Sequence, residues 1–193
     1  MMHTSAPVSS AAEDFDRLQA RLTPKARASV TKHLDIVSGS AELGFGECWK
    51  RLVGMLGRLA PDLVEAAGTS LKFSIVDGKY RRQVYALDDQ RKGLIQIYLP
   101  DIMAAAQKAG LVGIAEGGTI AVKGDIKTRI PLDVITADTK DIPDCCKPML
   151  GWGRKALRIE IGVAGEEKQV RMIEKLCALA AETWATAPAQ PSA

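Results

Sequence analysis

The residue pattern predicts an α+β protein, with an antiparallel sheet of about five to six strands, helices packed mainly on one face, and extra helices at the N-terminus. Three observations carry that expectation. The stretch Leu71 to Leu99 alternates apolar and polar residues in three runs divided by turn residues, the signature of a three-stranded meander. Before it, apolar residues recur at helical spacings. After it come a helix, further alternating runs and a closing amphipathic helix.

Met1 to Ser10 is rich in small residues and reads as a disordered tail. Ala11 to Leu22 brings Phe15, Leu18 and Leu22 onto one helical face. Thr23-Pro24 then reads as the cap and first residue of a second helix, carrying Val30, Leu34 and Val37 and stopping at Gly39. Glu47 to Ala60 has a broad apolar stripe of Trp49, Leu52, Val53, Leu56 and Leu59. Pro61 interrupts it and predicts a fresh short helix ending near Gly68, with Asp62 and Glu65 in its first turn.

In the meander, Asp77-Gly78 supplies a two-residue hairpin turn between Leu71–Val76 and Lys79–Leu87. Strict alternation sets Tyr80, Arg82, Val84 and Ala86 on one face of the second strand and Arg81, Gln83, Tyr85 and Leu87 on the other. The third strand, Leu94 to Leu99, shares Ile95, Ile97 and Leu99 on a face. Pro100-Asp101 opens a helix that stops at Gly110. Two more strands are expected at 119–123 and 131–136, the second starting with Pro131 and so placed at an edge. Residues 137–154 are turn-rich. Ala156 to Val163 is a strand with Leu157, Ile159, Ile161 and Val163 facing one way, Arg158 and Glu160 the other. A helix from Glu166 to Ala185 closes the chain before a second disordered tail. The expected organisation is a tail at 1–10, a helical extension at 11–45, an α+β domain at 46–186 and a tail at 187–193.

With 193 residues, 47% hydrophobic and 25% charged, the composition is that of a globular protein with one sizeable core. No run reaches the roughly 18 apolar residues of a membrane helix. The first twelve residues lack a basic flank followed by an apolar stretch, so a cytoplasmic protein without a membrane partner is expected. Four cysteines, two of them adjacent, are too few for a disulfide scaffold. The net charge of +3 is uneven: residues 71–99 carry six basic and three acidic side chains, and 123–158 carry eight and five. The strand-rich parts are therefore basic, which suits an anionic partner.

Candidate sites fall in two places. The loop Asp138, Asp141, Asp144, Cys145, Cys146 combines carboxylates with thiols, and Asp144, Cys145 and Cys146 are its candidate metal ligands. Four-ligand zinc spacing is missing, because only His3 and His33 are available to help. The segment Gly151-Trp152-Gly153-Arg154 offers an aromatic and a cation on a flexible loop, and the basic hairpin adds Arg82 and Tyr85. Trp152, Arg154, Arg82 and Tyr85 are the candidate ligand-binding residues. No Ser-His-Asp or Cys-His set and no phosphate-binding glycine loop stands out, so the pattern leans away from an enzyme and calls for no cofactor. The leading expectation is a domain binding a small or anionic ligand, or a protein partner, in a groove between the sheet and the Cys145–Lys155 loop. Weak nucleic-acid binding through Lys79, Arg81, Arg82, Arg91 and Lys92 is less favoured, and metal or thiol chemistry at Cys145-Cys146 is the third reading.

The block from Trp49 to Trp184 resembles the small YdhG-like, frataxin-like α+β domains. A helix ending near Ala60-Pro61-Asp62 is followed by strands, one reading Gly93-Leu94-Ile95-Gln96-Ile97-Tyr98, and later by a strand and a closing helix. Gly68-Thr69-Ser70 stands where that family has an aromatic-rich segment. The resemblance implies an architecture, with iron handling or small-ligand binding as the functions suggested for the family.

Overall fold

The computed structural model describes residues 11–38, 45–59, 63–67, 70–77, 80–88, 94–112, 119–122, 125–142, 144, 146–150, 154–162 and 167–185. Within them the chain is mixed helix and antiparallel sheet. Helices α1 (Ala11–Arg21), α2 (Pro24–Ser38) and α3 (Phe45–Arg58) come first. Strands β1 (Leu63–Ala67), β2 (Ser70–Asp77), β3 (Tyr80–Asp88) and β4 (Leu94–Pro100) follow, then α4 (Met103–Lys108), β5 (Thr119–Val122), β6 (Asp125–Ile135), β7 (Ala156–Gly162) and α5 (Glu167–Ala185). The strands form a seven-stranded sheet in the order β1-β2-β3-β4-β7-β6-β5, all neighbours antiparallel.

The local rules explain most boundaries. Thr23 caps α2: its Oγ1 accepts from the Ala26 amide at 3.3 Å, and its carbonyl accepts from Arg27 at 2.9 Å. Gly110 ends α4 in the left-handed conformation, φ 68°. There the Leu111 amide donates to the Ala106 carbonyl and the Gly110 amide to Gln107, the paired bonds of a Schellman motif. Asp101 Oδ1 accepts from the Met103 amide at the start of the same helix.

The helical layer covers one face of the sheet. Phe15 and Leu18 of α1, Trp49, Leu52 and Leu56 of α3, and Ile173, Leu176 and Cys177 of α5 are buried in one cluster with Leu71, Phe73, Ile95, Ile97, Leu99, Leu157 and Ile159 of the strands. Alternation along β4 and β7 produces this face directly. The N-terminal helices share it: α1 lies on α3 so closely that a Cβ on Gly54 would stand 2.7 Å from the Phe15 amide nitrogen. Buried Asp14 of α1 accepts from Arg58 Nε of α3 at 2.8 Å, and the same guanidinium pairs with Glu174 of α5.

Four expectations need correction. The sheet has seven strands, more than the five to six expected, chiefly because residues 63–67 form β1 and not the short helix expected after Pro61. So short a helix is marginal alone, whereas Leu63–Ala67 gains a full ladder with Ser70–Ser74. Pro131 is interior to β6 and does not start an edge strand: β6 pairs with β5 up to Pro131 and with β7 from Leu132, so the proline sits where the pairing changes partner. Asp77 pairs with Tyr80 and so belongs to strand β2, not to the turn expected at Asp77-Gly78; Gly78 lies outside the described residues. Finally, Tyr85 pairs with Phe73 but Gln83 with Ser74, so Val84 is an extra residue and the alternation of β3 breaks there. Val84 consequently joins the main core while Ala86 belongs to a second cluster.

Candidate functional site

A row of residues runs across the sheet in mutual register, and its members Ala86 and Tyr98 belong to the apolar cluster on the side away from the helices. Glu65 of β1 pairs with Lys72, Lys72 with Ala86, Ala86 with Tyr98, Tyr98 with Arg158, and Arg158 with Asp133 of β6. Beside it runs a second row, Ser70, Asp88, Gln96 and Glu160. Both rows arise because β4 and β7 place polar residues at alternate positions between their core-facing isoleucines and leucines.

Side-chain bonds link the rows. The Tyr98 hydroxyl donates to Gln96 Oε1 at 2.9 Å, and Gln96 Nε2 donates to Glu160 Oε1 at 2.6 Å. Arg158 Nε donates to Asp133 Oδ2 at 3.2 Å, and its Nη2 reaches the same oxygen. Burial alone would lower the guanidinium pKa, but the hydrogen bond and charge of Asp133, with a further hydrogen bond to Tyr98, leave it raised above its ordinary value. The donors thus run one way, from the Arg158 cation through Tyr98 and Gln96 to the Glu160 carboxylate. A chain with a cation at one end and an anion at the other polarises each bond in it, and its members are fixed in orientation. Tyr98 is fully buried and Gln96 nearly so, which makes the satisfied bonds necessary.

Part of this face is covered by Ile142, Cys146, Met149 and Leu150, described residues of the segment 136–150, here termed the strap. It leaves β6 through a stapled turn in which the Thr136 amide donates to Thr139 Oγ1 at 2.9 Å and the Thr139 amide to the Thr136 carbonyl at 3.0 Å. Its far end is a single 3-10 turn at Lys147–Met149. Cys146, Met149 and Leu150 seat on Ala86, Tyr98, Ile135 and Ala156, with Ile142 packed against them. At the rim, exposed Asp144 is paired with Lys147 at 2.6 Å. The Lys147 hydrogen bond and charge, and more weakly the charge of Lys72, hold the Asp144 carboxyl below its ordinary value.

The sequence-derived candidates are distributed as follows. Trp152 and Cys145 lie outside the described residues. Arg154 is half-buried on the segment entering β7. Arg82 and Tyr85 are in β3, in register with Ile75 and Phe73. Of the candidate metal ligands, Cys146 is buried among apolar side chains whereas Asp144 stands in solvent, so these two diverge. Among the described residues no three His, Cys, Asp or Glu side chains are grouped to hold a metal ion. No described helix is long and apolar enough to cross a membrane. The residues that sequence reasoning passed over are Gln96, Tyr98 and Asp133, together with the roles of Arg158 and Glu160. Their signal was present as the polar half of each strand's alternation, but pairing β4 with β7, some sixty residues apart, is what makes it a network. No family model, curated protein or solved structure matches the chain.

Proposed function

We propose that this protein is a non-enzymatic binding domain for a small anionic ligand, held on the helix-free sheet face beside the strap. The observation that carries the reading is the seating of Cys146, Met149 and Leu150 over Tyr98, which gives the open part of the polar row a wall on one side. Cations occur in the same row and segment: Arg158 pairs with Tyr98, Lys72 lies two strands further along the row, Lys147 is in the strap, and Arg154 and Lys155 precede β7 in sequence. Trp152, which follows Leu150 by two residues in the sequence, is the aromatic residue offered to such a ligand in this reading. The resemblance to YdhG-like domains is part of this proposal, supported by the strands that follow Ala60-Pro61-Asp62 and by the final strand and closing helix.

Thermal-shift measurement with inorganic phosphate, nucleotides and dicarboxylates tests the reading, on the wild type and on Trp152→Ala with Arg154→Ala. A ligand that raises the wild-type midpoint and leaves the double variant unmoved supports it. Equal responses in both would remove this loop from the site.

A further inference from the structure

We propose that the corner where α1 meets α2 is a docking surface for the phosphate backbone of a double-stranded nucleic acid, contacted by Arg17, Arg21, Lys25, Arg27 and Lys32. The surface is separate from the sheet-face site and does not depend on the ligand reading above.

Residues 17–34 contain five basic and no acidic side chains, a charge of +5 in a chain whose net charge is +3, so the rest of the chain sums to −2. Asp16 and Asp35 bracket the run without entering it. All five cations are exposed. Two of them are held by the main chain: Arg27 Nε donates to the Gln19 carbonyl at 3.0 Å and its Nη2 to the Leu22 carbonyl at 3.4 Å, and Arg21 Nη2 donates to the Gly57 carbonyl at 2.7 Å. A carbonyl orients a guanidinium without cancelling its charge, whereas Lys50, Arg58, Lys147 and Arg158 are each paired with a carboxylate. The bonds from Arg27 also tie the start of α2 to the end of α1, so one joined corner carries the five charges. Arg17 and Arg21 are one turn apart on α1. Lys25 and Lys32, seven residues apart, share a face of α2 and stand about 10 Å apart along its axis, about three phosphate steps of a duplex strand. The exposed residues among the cations, Ala20, Thr23, Pro24, Ala28 and Thr31, are small or polar, while Leu18, Leu22 and Val30 are buried in the main core. A helix lying in a membrane interface needs large apolar or aromatic side chains on its outer face, and unpaired bases need aromatic platforms. Small residues and cations supply neither, and they suit sequence-independent contact with duplex phosphates through counterion release.

The experiment is a fluorescence-anisotropy titration of the full chain against labelled duplexes of DNA and of RNA, about 20 base pairs long, over a series of salt concentrations. The wild type is expected to bind at least one duplex with a Kd of about 10 μM or tighter in about 50 mM salt, and log Kobs is expected to fall against log salt with a slope of about −4 to −5, as five phosphate contacts require. Arg17→Gln with Lys25→Gln and Lys32→Gln spares the two hydrogen-bonded arginines. It is expected to weaken binding about ten-fold or more and to make the slope shallower by about 2.7. Lys108→Gln with Lys140→Gln and Lys175→Gln removes the same charge from exposed positions elsewhere and is expected to weaken binding less than about three-fold with the slope kept. Lys32→Gln alone, with a slope change of about 0.9, repeats the test with the least disturbance of the fold. No binding of either duplex at the lowest salt, a wild-type slope shallower than about −2, or equal weakening by the two triple variants would overturn the proposal. Binding to vesicles of phosphatidylserine and phosphatidylcholine with none to the duplexes would overturn it as well.

Discussion

Gly54 and Gly57 both face α1, yet their replacement by alanine has different consequences. At Gly54 the added methyl meets the Phe15 backbone at 2.7 Å, which cannot move without separating two helices, so Gly54→Ala should cost about 1–3 kcal/mol. At Gly57 the contact, 2.9 Å, is with the Leu18 side chain. That side chain is buried, with its Cβ also at 3.2 Å, but it can give more easily than backbone and the helix gains about 1 kcal/mol of propensity, so Gly57→Ala should cost less than Gly54→Ala. Thermal denaturation of the two variants checks the order. Asp144 gives a second residue-scale outcome. Because its carboxyl is held below the ordinary 3.8 by Lys147, its contribution is present above that value and is lost as the pH falls through the lower folded value. A carboxylate NMR titration should show Asp144 moving upward in Lys147→Ala. Single residues of this kind were partly legible in advance: Thr23 and Gly110 act through their own backbone neighbourhood and do what their residue types favour. Gly54 carries no such local signal, since its role is defined by a helix some forty residues earlier in the chain.

Among elements, β4 and β7 hold the polar chain, and Tyr98 is its central link. Tyr98→Phe removes the donor to Gln96 Oε1 and the hydrogen-bond neighbour of Arg158 while keeping the ring, leaving a buried amide oxygen without that partner. The expected loss is about 1–3 kcal/mol, read as a lower urea midpoint with an unchanged m-value. Full wild-type stability in this variant would show that the chain contributes nothing net. The meander, α4 and α5 were legible as elements because their periodicity is a property of consecutive residues. The strand at Leu63–Ala67 was not, since five residues after a proline carry no period of their own and take their conformation from β2. The Val84 bulge was hidden for a related reason: an extra residue is visible only against the partner strand.

Over the whole molecule, the N-terminal helices and the sheet share one core. Phe15, Leu18 and Leu22 are buried in the main cluster, and Phe15 meets Trp49 edge-on with ring centroids 6.1 Å apart. Deleting residues 1–22 removes these three side chains, each worth about 1.5–3 kcal/mol of burial, and uncovers Trp49. Against a typical domain stability of about 5–15 kcal/mol, the truncated chain should lose its cooperative thermal transition or associate through the exposed face. Calorimetry and size-exclusion chromatography check this. A monomeric truncation with the wild-type transition would mean that the helical extension is merely appended. The sequence alone determined the α+β class, most helix and strand positions and the basic bias of the strand-rich parts, because periodicity, capping residues and charge are local quantities. Tertiary structure decided the order of the seven strands, the partner change at Pro131, the Arg158–Tyr98–Gln96–Glu160 chain and the docking of the strap. Each of these depends on which distant segments share a face, and that is settled by the burial of apolar surface across the whole chain, which no short window of sequence contains.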